Sequence, residues 1–173
     1  MIQGNLDVSG NIDLSGNLYI QNGLNVLYTN NSQIVKINTN AVAIGYSAGN
    51  VTQGQDAIAI GYLAGSITQG PNGVAIGNSA GTGQSSGAVA IGYLAGENAQ
   101  STNSIAIGYL AGQSDQYSYS VAIGFSAGNT SQREDAIAIG RLTGYNTQGQ
   151  NGVAIGQGAG QNNQQQNVQP WNA

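Results

Sequence analysis

The chain contains neither cysteine nor histidine, and its 173 residues include only three cations, Lys36, Arg133 and Arg141. Without cysteine there is no disulfide framework and no thiol nucleophile. Without histidine, the usual general base and metal ligand near neutral pH are missing as well. Charged residues make up 6% of the chain and the net charge is -4. There is no clustered Lys and Arg stripe of the kind that counterion release from a phosphate backbone requires, so nucleic acid is not an expected partner. No run approaches the ~20 apolar residues that span a bilayer. The segment Met1-Ile2-Gln3-Gly4-Asn5 has neither a charged n-region nor an apolar h-region. Neither signal-peptide export nor membrane insertion is expected. For catalysis only the carboxylate pair Glu134 and Asp135 remains, and adjacent residues of an extended chain point apart. With Arg133 they read as a solvated loop. The expectation is a protein that is not an enzyme and holds no cofactor or metal.

What is present is Gly, Asn, Gln, Ser and Ala, in strict order. The stretch Ala57-Ile58-Ala59-Ile60-Gly61-Tyr62-Leu63-Ala64-Gly65 exemplifies a unit that recurs eight times, with its first glycine at Gly45, Gly61, Gly77, Gly92, Gly108, Gly124, Gly140 and Gly156. Every step is sixteen residues except Gly77 to Gly92, which is fifteen. So short and strict a period means one supersecondary unit stacked on copies of itself. The alternation over Val42-Ala43-Ile44-Gly45-Tyr46 predicts a strand with Val42, Ile44 and Tyr46 on one face, filling the interior of a flattened coil. The opposite face is smooth, because Ala43, Ala59, Ala75, Ala90, Ala106, Ala122, Ala138 and Ala154 recur there. This alanine row is the candidate contact face for neighbouring chains. The second glycine of each unit, from Gly49 to Gly160, is expected to take a positive φ where the chain reverses. A glutamine follows in register (Gln53, Gln69, Gln84, Gln100, Gln116, Gln132, Gln148, Gln164), which predicts an amide ladder along one edge. The residue missing from the third coil falls between Gly81 and Gln84, in the return stretch. Stacked at ~4.8 Å, eight coils make a rod of roughly 40 Å. A calcium ladder would need an Asp in each coil, whereas the position of Asp56 and Asp135 is Asn72, Asn103 or Tyr119 elsewhere.

Four segments follow. Residues 1–27 carry a six-residue period, Gly4-Asn5-Leu6-Asp7-Val8-Ser9 and its copies, whose alternating apolar residues read as a short β-rich shaft or docking segment. One such chain buries too little alone, so three chains wound about a common axis are expected. Residues 28–40 form a connector or cap for the first coil, residues 41–160 the repeat head, and residues 161–173 either a polar tail or a cap that lays Trp171, beside Pro170, over the open end of the last coil. The position after the first glycine is aromatic in five coils: Tyr46, Tyr62, Tyr93, Tyr109 and Phe125. Such a ladder either binds a glycan or a protein, or stacks ring on ring inside the roll or across the contact between chains.

Asn72-Gly73-Val74-Ala75-Ile76-Gly77-Asn78-Ser79-Ala80-Gly81 and Asn103-Ser104-Ile105-Ala106-Ile107-Gly108 closely resemble the repeats of YadA-like heads in trimeric autotransporter adhesins. The resemblance covers residues 41–160. It implies an all-β, left-handed parallel β-roll, a β-solenoid of eight 15–16-residue coils, three of which associate as a homotrimer whose surface binds host components. The hexad segment resembles the shaft repeats of phage tail fibres and of fibre-like proteins from large DNA viruses, which assemble without secretion. Together these imply a trimeric fibre or spike on a virion surface or in the extracellular space. Its N-terminus would join a virion or fibre protein, and its head would serve decoration or host attachment to a surface glycan or protein. A solenoid presenting a regular array to ice or a polysaccharide, and a subunit of an extracellular filament, are the alternatives.

Overall fold

A computed structural model describes Leu24–Thr29, Ser32–Asn38 and residues 40–164. Most of the hexad segment and the tail with Trp171 lie outside these residues. The chain is an all-β parallel solenoid. Its larger sheet starts with β1 (Leu24–Thr29) and β2 (Ser32–Asn38), which pair antiparallel. The second of these pairs antiparallel with β3 (Ala41–Ile44), the first rung of the roll. An antiparallel cap at this edge satisfies the backbone groups that β3 would otherwise present to a stray strand. β2, within residues 28–40, covers the edge of the first rung, and the hairpin it belongs to begins at Leu24.

From β3 onward the wall is parallel and in register. Val42 pairs with Ile58, Ala43 with Ala59 and Ile44 with Ile60, and so on to Ile139 with Ile155. A second parallel wall runs through the returns, from Thr52–Gln53 to Thr130–Gln132, with bridges from Gln132 to Gln148 and on to Gln164. The fifteen-residue coil keeps this register, because its return, Gly83–Gln84, gives up a residue on the loop side and still aligns Gln84 with Gln69 and Gln100.

The interior reverses the expected assignment of faces. The alanines proposed as the contact between chains are inside: Ala59, Ala75, Ala90, Ala106, Ala122, Ala138 and Ala154 are 0% exposed and Ala43 3%. Ala64, Ala80, Ala95, Ala111 and Ala127 form a second buried column, and the Val and Ile of each rung point outward. The reason is width. A methyl added at Gly112 would stand 3.2 Å from the Ala106 Cβ and 2.6 Å from the Gln116 Oε1, so the space between the walls holds a methyl and an amide and nothing larger. Large apolar side chains are usually found inside. Here the coil is too flat to admit them.

Glutamine completes the core. Gln132 is 0% exposed, and its Nε2 donates to the Val121 carbonyl at 2.7 Å and the Ala136 carbonyl at 3.0 Å. The same amide donates to Gln148 Oε1 at 3.2 Å and Gln132 Oε1 accepts from Gln116 at 3.3 Å. The amide ladder therefore exists, but as a central spine tying the two walls together. It includes the runs Gln69-Gln84-Gln100 and Gln116-Gln132-Gln148.

Besides the first glycine, at 131° in Gly108, three corners recur at positive φ in the coils. One is the second glycine, as expected, with Gly112 at 51°. Another is the residue two after the first glycine, where Leu110 sits at 56° and keeps its ladder bond, N to Tyr93 O at 2.9 Å. The third is the residue before the next buried small residue, occupied by Asn72, Asn103 or Asn151 at 56–58° and by Asp56 and Asp135 at 57°. Asn and Asp tolerate this region, so these side chains serve a turn. Tyr119 occupies the same corner at φ 60° and is 54% exposed. Left-handed backbone costs such a residue about 1–2 kcal/mol. Tyr119→Asn is therefore expected to raise stability by about 0.5–1 kcal/mol, read as a higher denaturant midpoint at unchanged slope.

Candidate interaction surface

With alanine and glutamine inside, the outer face of the parallel wall carries two continuous rows of β-branched side chains, one from the first and one from the third residue of the Val-Ala-Ile rungs. They are half-exposed in the single chain, reaching 39% at Ile44 and 40% at Ile155. The two rows run the full height of eight rungs. Exposed apolar patches larger than a few hundred Å² mark contact surfaces in soluble proteins. This is the largest feature the sequence reading placed wrongly. Its signal was present: both β-branched positions persist in every coil, more than a narrow interior can hold.

Beside these rows runs the aromatic row. Tyr46 stacks on Tyr62 with ring centroids 5.3 Å apart and planes within 12°. Tyr93 stacks on Tyr109 and Tyr109 on Phe125, each at 5.1 Å. All five rings remain exposed, so the stacking expected inside the roll occurs on its outside. Asn78 interrupts the row between Tyr62 and Tyr93, and Arg141 and Gln157 end it. Stacks at one rung spacing fit offset ring geometry, worth about 0.5–1.5 kcal/mol each beyond area.

The remaining polar groups serve the coil edges. Gln113 Nε2 donates to Glu97 Oε2 at 3.0 Å, and Asn129 Nδ2 donates to Gln113 Oε1 at 3.2 Å and to the Leu110 carbonyl at 2.9 Å. Glu134 and Asp135 lie exposed at a corner where the Arg133 guanidinium covers the Tyr117 ring at 5.4 Å. Among the described residues no three acidic, His or Cys side chains gather as a metal site. No helix among them is long and apolar enough to cross a membrane.

Residues 37–64 and 53–80 match the family model of the YadA head domain repeat, as two overlapping copies. No curated protein and no solved structure matches the chain. The repeat continues past the matched residues in register, since the rungs Ile105–Ile107 and Val121–Ile123 pair as those of the first coils do.

Proposed function

We propose that this chain, with YadA head repeats as its building unit, is a non-enzymatic, adhesin-like structural protein working as a homotrimer on a virion surface or in the extracellular space. The observation that carries this reading is the double row of half-exposed Val and Ile on one face of a single roll. Two sister chains laid side by side against that face would remove it from water, at about 25 cal/mol per Å² of apolar surface. The alanine columns have no part in the contact, because they are already covered within the chain. The heads then present their aromatic rows and polar returns outward, for decoration or attachment to a host glycan or protein, and the hexad segment joins the fibre.

The array reading gains less support. The returns place Thr52, Thr68, Gly83, Ala99, Asp115 and Ser131 just before the Gln spine, and so mixed a row offers no uniform lattice to ice.

Sedimentation equilibrium tests the assembly. The full chain is expected at three times its 17.5 kDa mass. Ile107→Asp, on the outer face at mid-height, is expected to sediment as a monomer with an unchanged far-ultraviolet spectrum, since its side chain lies outside the roll. A carboxylate buried at the contact in each of three chains is expected to weaken association by about 100-fold or more. A wild-type chain that stays monomeric at micromolar concentration overturns the reading.

A further inference from the structure

The interruption of the aromatic row at Asn78 leaves a gap of defined size. Ser79 N donates to the Tyr62 carbonyl at 2.8 Å and Leu94 N to the Asn78 carbonyl at 3.0 Å, so the three rungs stay stacked across the gap. Tyr62 and Tyr93 are therefore two rungs apart, about 10 Å at ~4.8 Å per rung. Each has one ring face stacked by a neighbour, Tyr46 or Tyr109, and no ring stacks on the face turned toward Asn78. Both residues are about half exposed, at 50% and 45%. The result is an open slot with an aromatic face on either side and an amide at its base. Ser79 Oγ donates to Asn78 Oδ1 at 3.0 Å at an exposed position, which ties up the amide oxygen and leaves the NH2 group to act as a donor.

We propose that this slot binds one pyranose ring of a neutral glycan. The inference rests on the adhesive reading above and gives it a site. A six-membered ring inserted midway stands about 5 Å from each tyrosine, a spacing at which ring C–H groups meet an aromatic face. The Asn78 amide supplies a donor for a ring hydroxyl. The side chains forming and flanking the slot, Tyr62, Leu63, Asn78, Ser79, Tyr93 and Leu94, carry no charge, which favours an uncharged sugar over a sulfated or sialylated one. Tyr109, between Tyr93 and Phe125, uses both faces on its neighbours and offers only edges, while Tyr46 and Phe125 end their stacks and face no second ring across a gap. The gap is thus the place in the row where two facing ring surfaces stand free.

The test uses the full chain and saturation-transfer difference NMR with the methyl glycosides of glucose, galactose, mannose and N-acetylglucosamine, and with p-cresol as an aromatic probe. Transfer from at least one glycoside is expected at millimolar concentration, with its ring protons nearest the protein. Asn78→Tyr fills the slot with one more rung of the stack. It is expected to keep or raise the melting temperature while reducing transfer about tenfold or more, the effect of losing a ring face on both sides. No transfer from any glycoside, or transfer undiminished in Asn78→Tyr, overturns the proposal. Transfer from p-cresol alone, lost in the same variant, overturns it in favour of an aromatic side chain of a protein partner. Sedimentation of the same samples keeps the two ideas apart: a monomer that binds sugar sinks the assembly reading and leaves the slot, and a trimer that binds none does the reverse.

Discussion

Gly108→Ala is expected to destabilise the roll by about 4 kcal/mol or more, a large loss for a single methyl. Gly108 has φ +131°, where a side chain is strained whatever the space. The added Cβ would stand 2.5 Å from the Gly124 carbonyl oxygen and 2.8 Å from its carbon. Those atoms are backbone of the next rung, held by Gly124 N to Ile107 O at 2.8 Å and Ser126 N to Tyr109 O at 2.8 Å. Relief requires the fifth and sixth coils to part and these bonds to open. In a solenoid each repeat is stabilised by its neighbours, so a parted step weakens both halves. Gly83→Ala is the control. Its Cβ would meet the Ala99 nitrogen at 3.6 Å, an ordinary contact, and Gly83 is not in the positive-φ region. It is expected to stay within about 1 kcal/mol of wild type, or to gain slightly by restricting the unfolded chain. Thermal and urea unfolding followed by circular dichroism reads both variants. Equal losses in the two would mean that the rungs do not approach as closely as the 2.5 Å contact requires.

The stacking of coils was legible in the residues because it rests on period alone. The glycines at sixteen-residue steps, the positive φ at the second of each pair, the in-register glutamines and the shortened return of the third coil all hold in the structure. Alternation within a rung also held, since Ala and Ile do take opposite faces. What period 2 cannot say is which face is inside. That depends on the distance between the two walls, and the distance depends on the corner geometry and on how far a glutamine reaches. The usual rule of large apolar residues inward chose the wrong face. Composition carried the correction: with eight alanines and eight glutamines in register, the volume available inside was already spent. The aromatic row was legible as a row, whereas its exposure followed from the face assignment and was lost with it. Asn78 drew no notice in the sequence, because a gap in a ladder acquires meaning only once the flanking rings are known to stack on the outside.

Gln132→Glu tests the glutamine spine, and the expected result is a roll stable in acid and failing at neutral pH. The substitution keeps shape and exchanges the amide NH2 for a carboxyl oxygen. At neutral pH it removes the donor to the Val121 and Ala136 carbonyls and to Gln148 Oε1, and sets a negative oxygen among three acceptors at a site 0% exposed. Burial favours the neutral acid and raises a carboxyl by up to about 3–5 pKa units, equivalent to about 4–7 kcal/mol between protonation states. The sign follows from proton binding. A carboxyl whose folded pKa lies above its unfolded value holds its proton longer in the folded state, so stability falls as pH rises from about 4.3 through the raised value. Below pH 4 both states are protonated, the acid proton restores one donor, and the deficit shrinks to the bonds it does not replace. Gln132→Met removes the donors without adding charge and is expected to cost about 2–4 kcal/mol at every pH, for carbonyls left unpaired. Urea unfolding of both variants from pH 3 to pH 8 separates the terms. If the Glu variant runs parallel to the Met variant across that range, water or solvent reaches Gln132, and the spine is not the closed core that holds the two walls together.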